Sequence, residues 1–154
     1  MSVLPDSFSF TVIGKPAPQG SKTHKGRGIM VEASARCRPW RKLIRAQAIR
    51  SRPAGWPMDR RTPITVEVVF VFTRPNNQFI NNNPKGHRLK PTAPAYCTKR
   101  IGDIDKLSRA LLDSLSDGAI YNDDSQVFQL NAYRRYANAN EPASAIVTVT
   151  AAIA

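Results

Sequence analysis

The sequence predicts a single α+β domain over residues 1–154, with a mixed β-sheet packed against two main helices. Apolar residues alternate with polar ones in four segments, as they do in half-buried strands, and two other segments repeat apolar residues at helical spacing. The chain order of strand, helix, strand, helix, strand and strand is typical of an α+β sheet. A length of 154 residues and a hydrophobic fraction of 42% suit one globular core.

The first predicted element is a strand in which Phe8, Phe10 and Val12 point to one side. Residues 14–28 are rich in glycine, proline and lysine, which predicts a cationic loop. The tetrapeptide "IMVE" at 29–32 is long enough for a short strand before the first helix.

The first helix is expected to begin at Pro39 and to end at the "RPAGWP" segment. Its apolar face is predicted to consist of Trp40, Leu43, Ile44 and Ala48. In residues 64–72, "ITVEVVFVF", every second residue is apolar, as on one face of a strand. The residues of the other face are also largely apolar. A strand of this kind is expected at the centre of a sheet and covered on both sides.

Residues 74–100 show no periodicity and are rich in Asn, Pro and Lys, so we expect a long, partly mobile basic loop that binds a partner. A second helix is predicted around residues 107–115, with Gly118 in the left-handed conformation as its stop. Alternation at 128–132 and 145–149 predicts the last two strands.

The formal charge of +12 and the sequence pI of about 10.4 favour a polyanionic partner, nucleic acid above all. No apolar stretch is long enough to span a membrane, and no basic region precedes the first apolar residues as in a secretory signal. Cys37 and Cys97 have no metal-site spacing. We therefore expect a cytoplasmic protein without a membrane partner.

Negative charge is concentrated in one segment, residues 102–127, which holds six of the eleven acidic residues. Asp103 and Asp105 are expected to converge where an extended chain enters the helix, with Asp105 as its N-cap. Arg109 lies one turn further along the helix. Asp123 and Asp124 occupy a predicted turn that returns beside the helix start.

Four carboxylates around one point would suit Mg²⁺ or Mn²⁺, with phosphate oxygens completing the ligand shell. Such a site would support metal-assisted hydrolysis of a phosphodiester. The same aspartates could instead be ordinary helix caps and turn residues, and spacing alone does not decide between these readings. Asp113 and Asp117 are predicted to be solvated residues of the helix surface.

The stretch "GDIDKLSRALLDSLSDGAIYNDDSQV" resembles the signature of the RusA family of Holliday-junction resolvases. That signature is an acid-x-acid pair, a helix with a "LLDAL" pattern, and a turn with "DDSQ" or "DDAQ". The segments "GKPAPQGSK", "RPWR" and "LKPTAPAYCTK" are similar to phage-borne members. The resemblance implies an α+β homodimer that cuts four-way DNA junctions with Mg²⁺, for which Mn²⁺ can substitute.

Carried over residue by residue, the resemblance implies that Asp103, Asp105 and Asp124 are essential metal-binding carboxylates, with Asp123 contributing to the metal site. A catalytic lysine of the family corresponds to Arg109, which keeps the charge but cannot donate a proton. The predicted DNA contacts are Lys15, Gln19, Lys22, Lys25, Arg27, Lys99, Arg100 and Lys106, with Lys85, Arg88 and Lys90 as further phosphate contacts from the long loop.

The sequence thus predicts a metal-dependent, structure-selective endonuclease that resolves four-way junctions and related branched DNA. The alternative is a non-catalytic basic module that binds nucleic acid, in which the aspartates serve only as caps and turns. Cleavage of a synthetic junction in the presence of Mg²⁺ or Mn²⁺ separates the two hypotheses.

Overall fold

A computed structural model describes residues 6–20, 22–24, 30–32, 35–56, 59–98 and 101–152 of the chain. Its helices and strands are β1 (Ser7–Ile13), β2 (Lys22–His24), β3 (Met30–Glu32), α1 (Cys37–Ser51), β4 (Ile64–Phe72), α2 (Ile104–Asp117), β5 (Val127–Tyr136) and β6 (Ser144–Ala151). Among these residues no helix is long and apolar enough to cross a membrane.

The main sheet has four strands in the order β1-β6-β4-β5. Strand β6 is antiparallel to both β1 and β4, whereas β5 is parallel to β4. The parallel pair is possible because α2 carries the chain back between the two strands, as in other βαβ units. The predicted α+β architecture with a mixed sheet and two main helices is therefore confirmed.

The apolar face of the sheet carries the core. Phe10 of β1, Val66 and Phe70 of β4, and Val147 of β6 are all buried on this face. On the other face of β4, Glu67 is exposed while Val71 near the strand end is buried. Strand β4 is central, as predicted, but its second face is covered only towards its end.

Helix α1 packs against α2 and β1. It begins at Cys37 rather than Pro39, and its buried stripe is Cys37, Trp40, Ile44 and Ala48. Leu43, predicted to lie on this stripe, is 49% exposed because it sits at the margin of the helix face. The stripe follows a spacing of three, four and four residues, and Leu43 falls outside it.

Helix α2 ends at the predicted position, but Gly118 is not left-handed there. Its φ is −83°, and the following Ala119 adopts the positive φ of 55° instead. A Cβ added at Gly118 would lie 3.5 Å from Ile49 of α1. That is an ordinary van der Waals distance, so neither the backbone conformation nor the surrounding space requires glycine at this position.

Two segments are more regular than predicted. The residues of β2 lie inside the expected 14–28 loop, and they pair with β3 to form a separate two-stranded sheet. Residues 74–98 contain three short 3₁₀ turns, and Phe79 forms a β-bridge with Leu89. Backbone hydrogen bonds supply this order without apolar periodicity, so the pattern of side chains did not reveal it.

Candidate active site

The first three turns of α2 present charged side chains on one face. Asp105, Arg109 and Asp113 follow one another at intervals of four residues, which places them on the same side of a helix. The helix begins at Ile104, so Asp103 is its N-cap and Asp105 lies inside the first turn. The prediction that Asp105 is the N-cap, reached by an extended chain, is therefore wrong.

Two features start the helix earlier than expected. Gly102 has a φ of +110°, which turns the chain just before α2, and Ile104 packs against the hydrophobic core. The guanidinium of Arg134, on β5, donates a hydrogen bond to the Gly102 carbonyl. Strand β5 thus fixes where α2 begins.

An open cavity of about 570 Å³ lies between α2 and β5. Its charged lining residues are Asp105, Arg109, Asp113 and Asp124. The apolar part of its wall includes Ile104, Leu112, Leu130 and Ala132. The fold therefore brings carboxylates from α2 and from the turn before β5 to one concave surface.

The turn that supplies Asp124 is held by a buried glutamine. The Gln126 side chain accepts hydrogen bonds from the backbone N–H groups of Asn122 and Asp123, at 2.7 and 3.0 Å. Its amide donates to the carbonyls of Asp59 and Thr62, at 2.9 and 3.0 Å. These four bonds satisfy the buried amide and fix the turn relative to the chain that leads into β4.

The electrostatics of the cavity point to excess negative charge. Burial raises the pKa of Asp124, and the nearby carboxylates of Asp113, Asp123 and Asp117 raise it further. A carboxyl whose neighbours are also negative is disfavoured in its charged form unless a cation offsets the repulsion. The cavity is therefore suited to a cationic occupant.

In each aspartate pair, the first member lies outside the cavity lining. Asp103 does not line the cavity, and its carboxylate lies 3.7 Å from the ammonium of Lys106. Asp123 also lies outside the lining, and its carboxylate accepts a 2.8 Å hydrogen bond from the backbone of Ser125. That bond is the main reason why the pKa of Asp123 is lowered. The four predicted carboxylates therefore do not all face one point.

The segment before β2 lies against the same face of α2. The backbone N–H of Gln19 donates to the Lys106 carbonyl at 3.0 Å, and its side-chain amide donates to Asp113 at 2.6 Å. A Cβ added at Gly20 would lie 2.6 Å from Nη1 of Arg109. In this structure Gln19, predicted to contact DNA, instead contacts Asp113, and Asp113 is partly buried rather than solvated.

The predicted DNA contacts are described only in part. Lys15 is exposed, and Lys106 is a half-buried residue of α2. Lys85 and Arg88 are exposed on the long loop, whereas Lys90 is half-buried. The backbone of Lys22 lies in β2, but its side chain is outside the description, and Lys25, Arg27, Lys99 and Arg100 lie outside the described residues.

No group of three His, Cys, Asp or Glu side chains is close enough to hold a metal ion by itself within the described part of the chain. Mg²⁺ does not require such a group, because it retains several waters and is commonly held by one or two carboxylates together with substrate phosphates. The hard oxygen donors of Asp105 and Asp124, at a cavity with surplus negative charge, fit this mode of binding.

Three contributors to the site were missed in the sequence. Asp113 was assigned to the helix surface, although its spacing of eight residues from Asp105 was a usable signal. Gln126 and Arg134 act through contacts with residues far away in the chain, so nothing in their local sequence indicated their roles.

Comparison with known proteins is consistent with this geometry. No curated protein matches the chain. The family model described as Endodeoxyribonuclease RusA, however, matches residues 11–149 of the 154-residue chain. The match includes both helices, β4, β5, parts of β1 and β6, and the whole cavity lining. The resemblance seen in the acidic segment is thus confirmed, and the chain belongs to the RusA endodeoxyribonuclease family.

Proposed function

We propose that this chain is a metal-dependent, structure-selective endonuclease that resolves four-way DNA junctions and related branched DNA. The observation that carries the proposal is the convergence of Asp105, Asp113 and Asp124 with Arg109 at one cavity of a protein whose formal charge is +12. A basic surface attracts DNA, and an acidic cavity within it attracts a divalent cation.

In the proposed reaction, a water oxygen bonds to phosphorus, the bond from phosphorus to the bridging oxygen breaks, and a proton passes to the departing oxygen. Asp105 and Asp124 would hold Mg²⁺ or Mn²⁺, and Asp103 and Asp123 would contribute only after moving towards the cavity. When bound, the metal supplies an activated water and stabilises charge on the phosphate.

Arg109 would bind the non-bridging oxygens of the reacting phosphate. Its guanidinium is planar and permanently charged, so it can offset the charge developing on phosphorus but cannot exchange a proton. Gln19 and Gly20 pack against this part of α2 and keep the cavity wall in place.

Replacement of Asp105 by Asn tests the proposal most directly. We expect junction cleavage in Mg²⁺ to fall by about 100-fold or more, because the loss of one ligand removes several kcal/mol of metal-derived stabilisation. Junction affinity measured in a chelator should be unchanged or higher, because a charge that repels DNA is removed. Asp117→Asn is the matched control, since Asp117 is on the same helix but pairs with Arg41 at 2.7 Å.

The same assay separates the enzyme from a non-catalytic binding module. A labelled four-way junction and a linear duplex of equal length are titrated with Mg²⁺ or Mn²⁺ at constant ionic strength. Paired cuts in the junction alone support the proposal. Junction binding without cleavage in either ion would favour the binding module instead.

We also propose a homodimer that uses the free edge of β5. Among the described residues this strand pairs with β4 alone, and it leaves Phe128 and Tyr133 exposed by 61% and 57%. An unpaired edge with apolar side chains is a ready surface for a second copy. A two-fold dimer would place one active site on each of two equivalent strands of a junction.

The dimer is tested by the solution mass of Tyr133→Lys, measured by light scattering. We expect the wild type to be a dimer and the variant to be a monomer at micromolar concentration. Ile13→Lys is the control, because Ile13 is 59% exposed on β1, the opposite edge of the sheet. If Ile13→Lys is the variant that dissociates, the interface lies at the other edge.

A further inference from the structure

A second open cavity, of about 350 Å³, lies where residues 74–98 fold against the connection between β5 and β6. Strand β5 lines the catalytic cavity at Ala132 and this second cavity at Tyr136. At about 3.3 Å per residue, these two lining residues are roughly 13 Å apart along the strand. DNA bound at the first cavity can therefore reach the second within a few nucleotides.

The walls of this cavity are flat and largely apolar. Phe79, Leu89 and Tyr136 contribute hydrophobic surface, and the Arg74 guanidinium lies 4.5 Å from the centre of the Tyr136 ring. Arg74 also donates hydrogen bonds to Gln78 and to the Pro94 carbonyl, at 3.0 and 2.8 Å. A held guanidinium and aromatic rings are the surfaces on which unstacked bases pack.

The polar part of the wall includes two exposed asparagines. Asn138 and Asn140 line the cavity, and their side-chain amides make no hydrogen bond to any described residue. Each amide offers one acceptor and two donors side by side, which matches the hydrogen-bonding edge of a nucleobase. Asn140 has a φ of +62°, so glycine can replace it without added backbone strain.

Two cationic residues flank a lining residue of the cavity in the sequence. Lys85 and Arg88 are exposed on either side of His87, which itself lines the cavity. Two cations beside one opening can bind the phosphates that flank a single nucleotide. Glu141, the acidic residue in the lining, is neutralised by two hydrogen bonds from Arg135, at 2.6 and 2.8 Å.

From these contacts we infer that the second cavity binds one unpaired nucleobase of the DNA whose backbone passes the catalytic cavity. This inference rests on the proposed function. A branch point interrupts base stacking, so removing a base from the stack costs least there. Base binding on the loop of residues 74–98 would hold the branch point at a fixed distance from the cut.

The test uses four-way junctions in which one nucleotide near the branch point lacks its base, moved stepwise along each strand. Affinity is measured in a chelator, without cleavage. We expect one position at which the abasic junction binds wild-type protein about tenfold more weakly, within the range for one stacked base. The double variant Asn138→Ala with Asn140→Gly should lose most of this discrimination.

The matched control is Asn81→Gly, which makes the same change at a positive φ of 58° on a residue outside the cavity lining. It should discriminate as the wild type does. The inference is overturned if no abasic position weakens binding, or if the double variant discriminates like the control. Loss of all preference for junction over duplex would instead contradict the proposed function.

Discussion

The start of α2 and the turn before β5 each supply two aspartates, but the two regions arrange their pairs by different means. At the start of α2 the helix itself separates the pair, because Asp103 occupies the N-cap position without a side-chain capping bond, while Asp105 lies on the cavity-facing side. In the turn, a capping box holds Asp123 and leaves Asp124 facing the cavity. In each pair, therefore, one aspartate lines the cavity and the other lies outside its lining.

The largest expected effect tests this division within the turn. Asp124→Asn should reduce junction cleavage by about 100-fold or more, through loss of a metal ligand. Asp123→Ala should keep cleavage within about tenfold and lower the free energy of unfolding slightly, as for other lost caps. Single-turnover cleavage and urea unfolding give the two quantities. If Asp123→Ala is as inactive as Asp124→Asn, the division fails.

The second prediction concerns the support of the turn. Gln126→Ala removes the four hydrogen bonds of a buried side-chain amide, so we expect the free energy of unfolding to fall by about 3 kcal/mol. Cleavage should also fall, because the turn no longer fixes Asp124. Gln129→Ala is the control: Gln129 is exposed on β5, and its loss should change stability by less than about 0.5 kcal/mol.

A third prediction addresses the support of α2, which comes from the segment before β2. In Gly20→Ala the new Cβ would meet Arg109 at 2.6 Å, at a backbone φ of +122° that disfavours alanine. We expect kcat to fall by about tenfold as Arg109 is displaced, since small misplacements of a phosphate-binding group are costly. Gly86→Ala, whose Cβ meets nothing closer than 3.9 Å, should cleave normally.

The smallest expected effect concerns Glu141, a carboxylate outside both regions. Its pKa is lowered, whereas the pKa of Asp124 is raised. Hydrogen bonds from Arg135 and from the backbone of Asn138 lower the pKa of Glu141 from 4.5 to about 2. Because the folded-state pKa is the lower one, the stabilisation is full above pH 4.5 and is lost as the pH falls towards 2. The pair is partly exposed, so we expect about 1 kcal/mol.

The measurement is the difference in free energy of unfolding between wild type and Glu141→Gln across this pH range. It should be largest above pH 4.5 and should shrink towards pH 2. A difference that does not change with pH would show that packing, not charge, makes the contribution.

Local sequence was sufficient for the elements that depend on local periodicity. The alternation in β4 and β6 and the apolar spacing in α2 identified these segments, because buried faces impose periods of two and about 3.6 residues. The acidic pattern and the net charge were sufficient to identify the family. The three 3₁₀ turns in the 74–98 segment were missed, because backbone hydrogen bonds leave no such period.

The sequence by itself therefore determined the fold class, the family and the segment that supplies the acids. Only the tertiary structure decided which acids share a cavity, because that depends on contacts between distant residues: Arg134 with Gly102, Gln126 with Thr62, and Gln19 with Asp113. A shift of one or two residues in the start of a helix changes the direction in which each nearby side chain points. No local sequence pattern predicts the start of a helix to that accuracy. The position of Asp113 in the cavity wall is the clearest consequence.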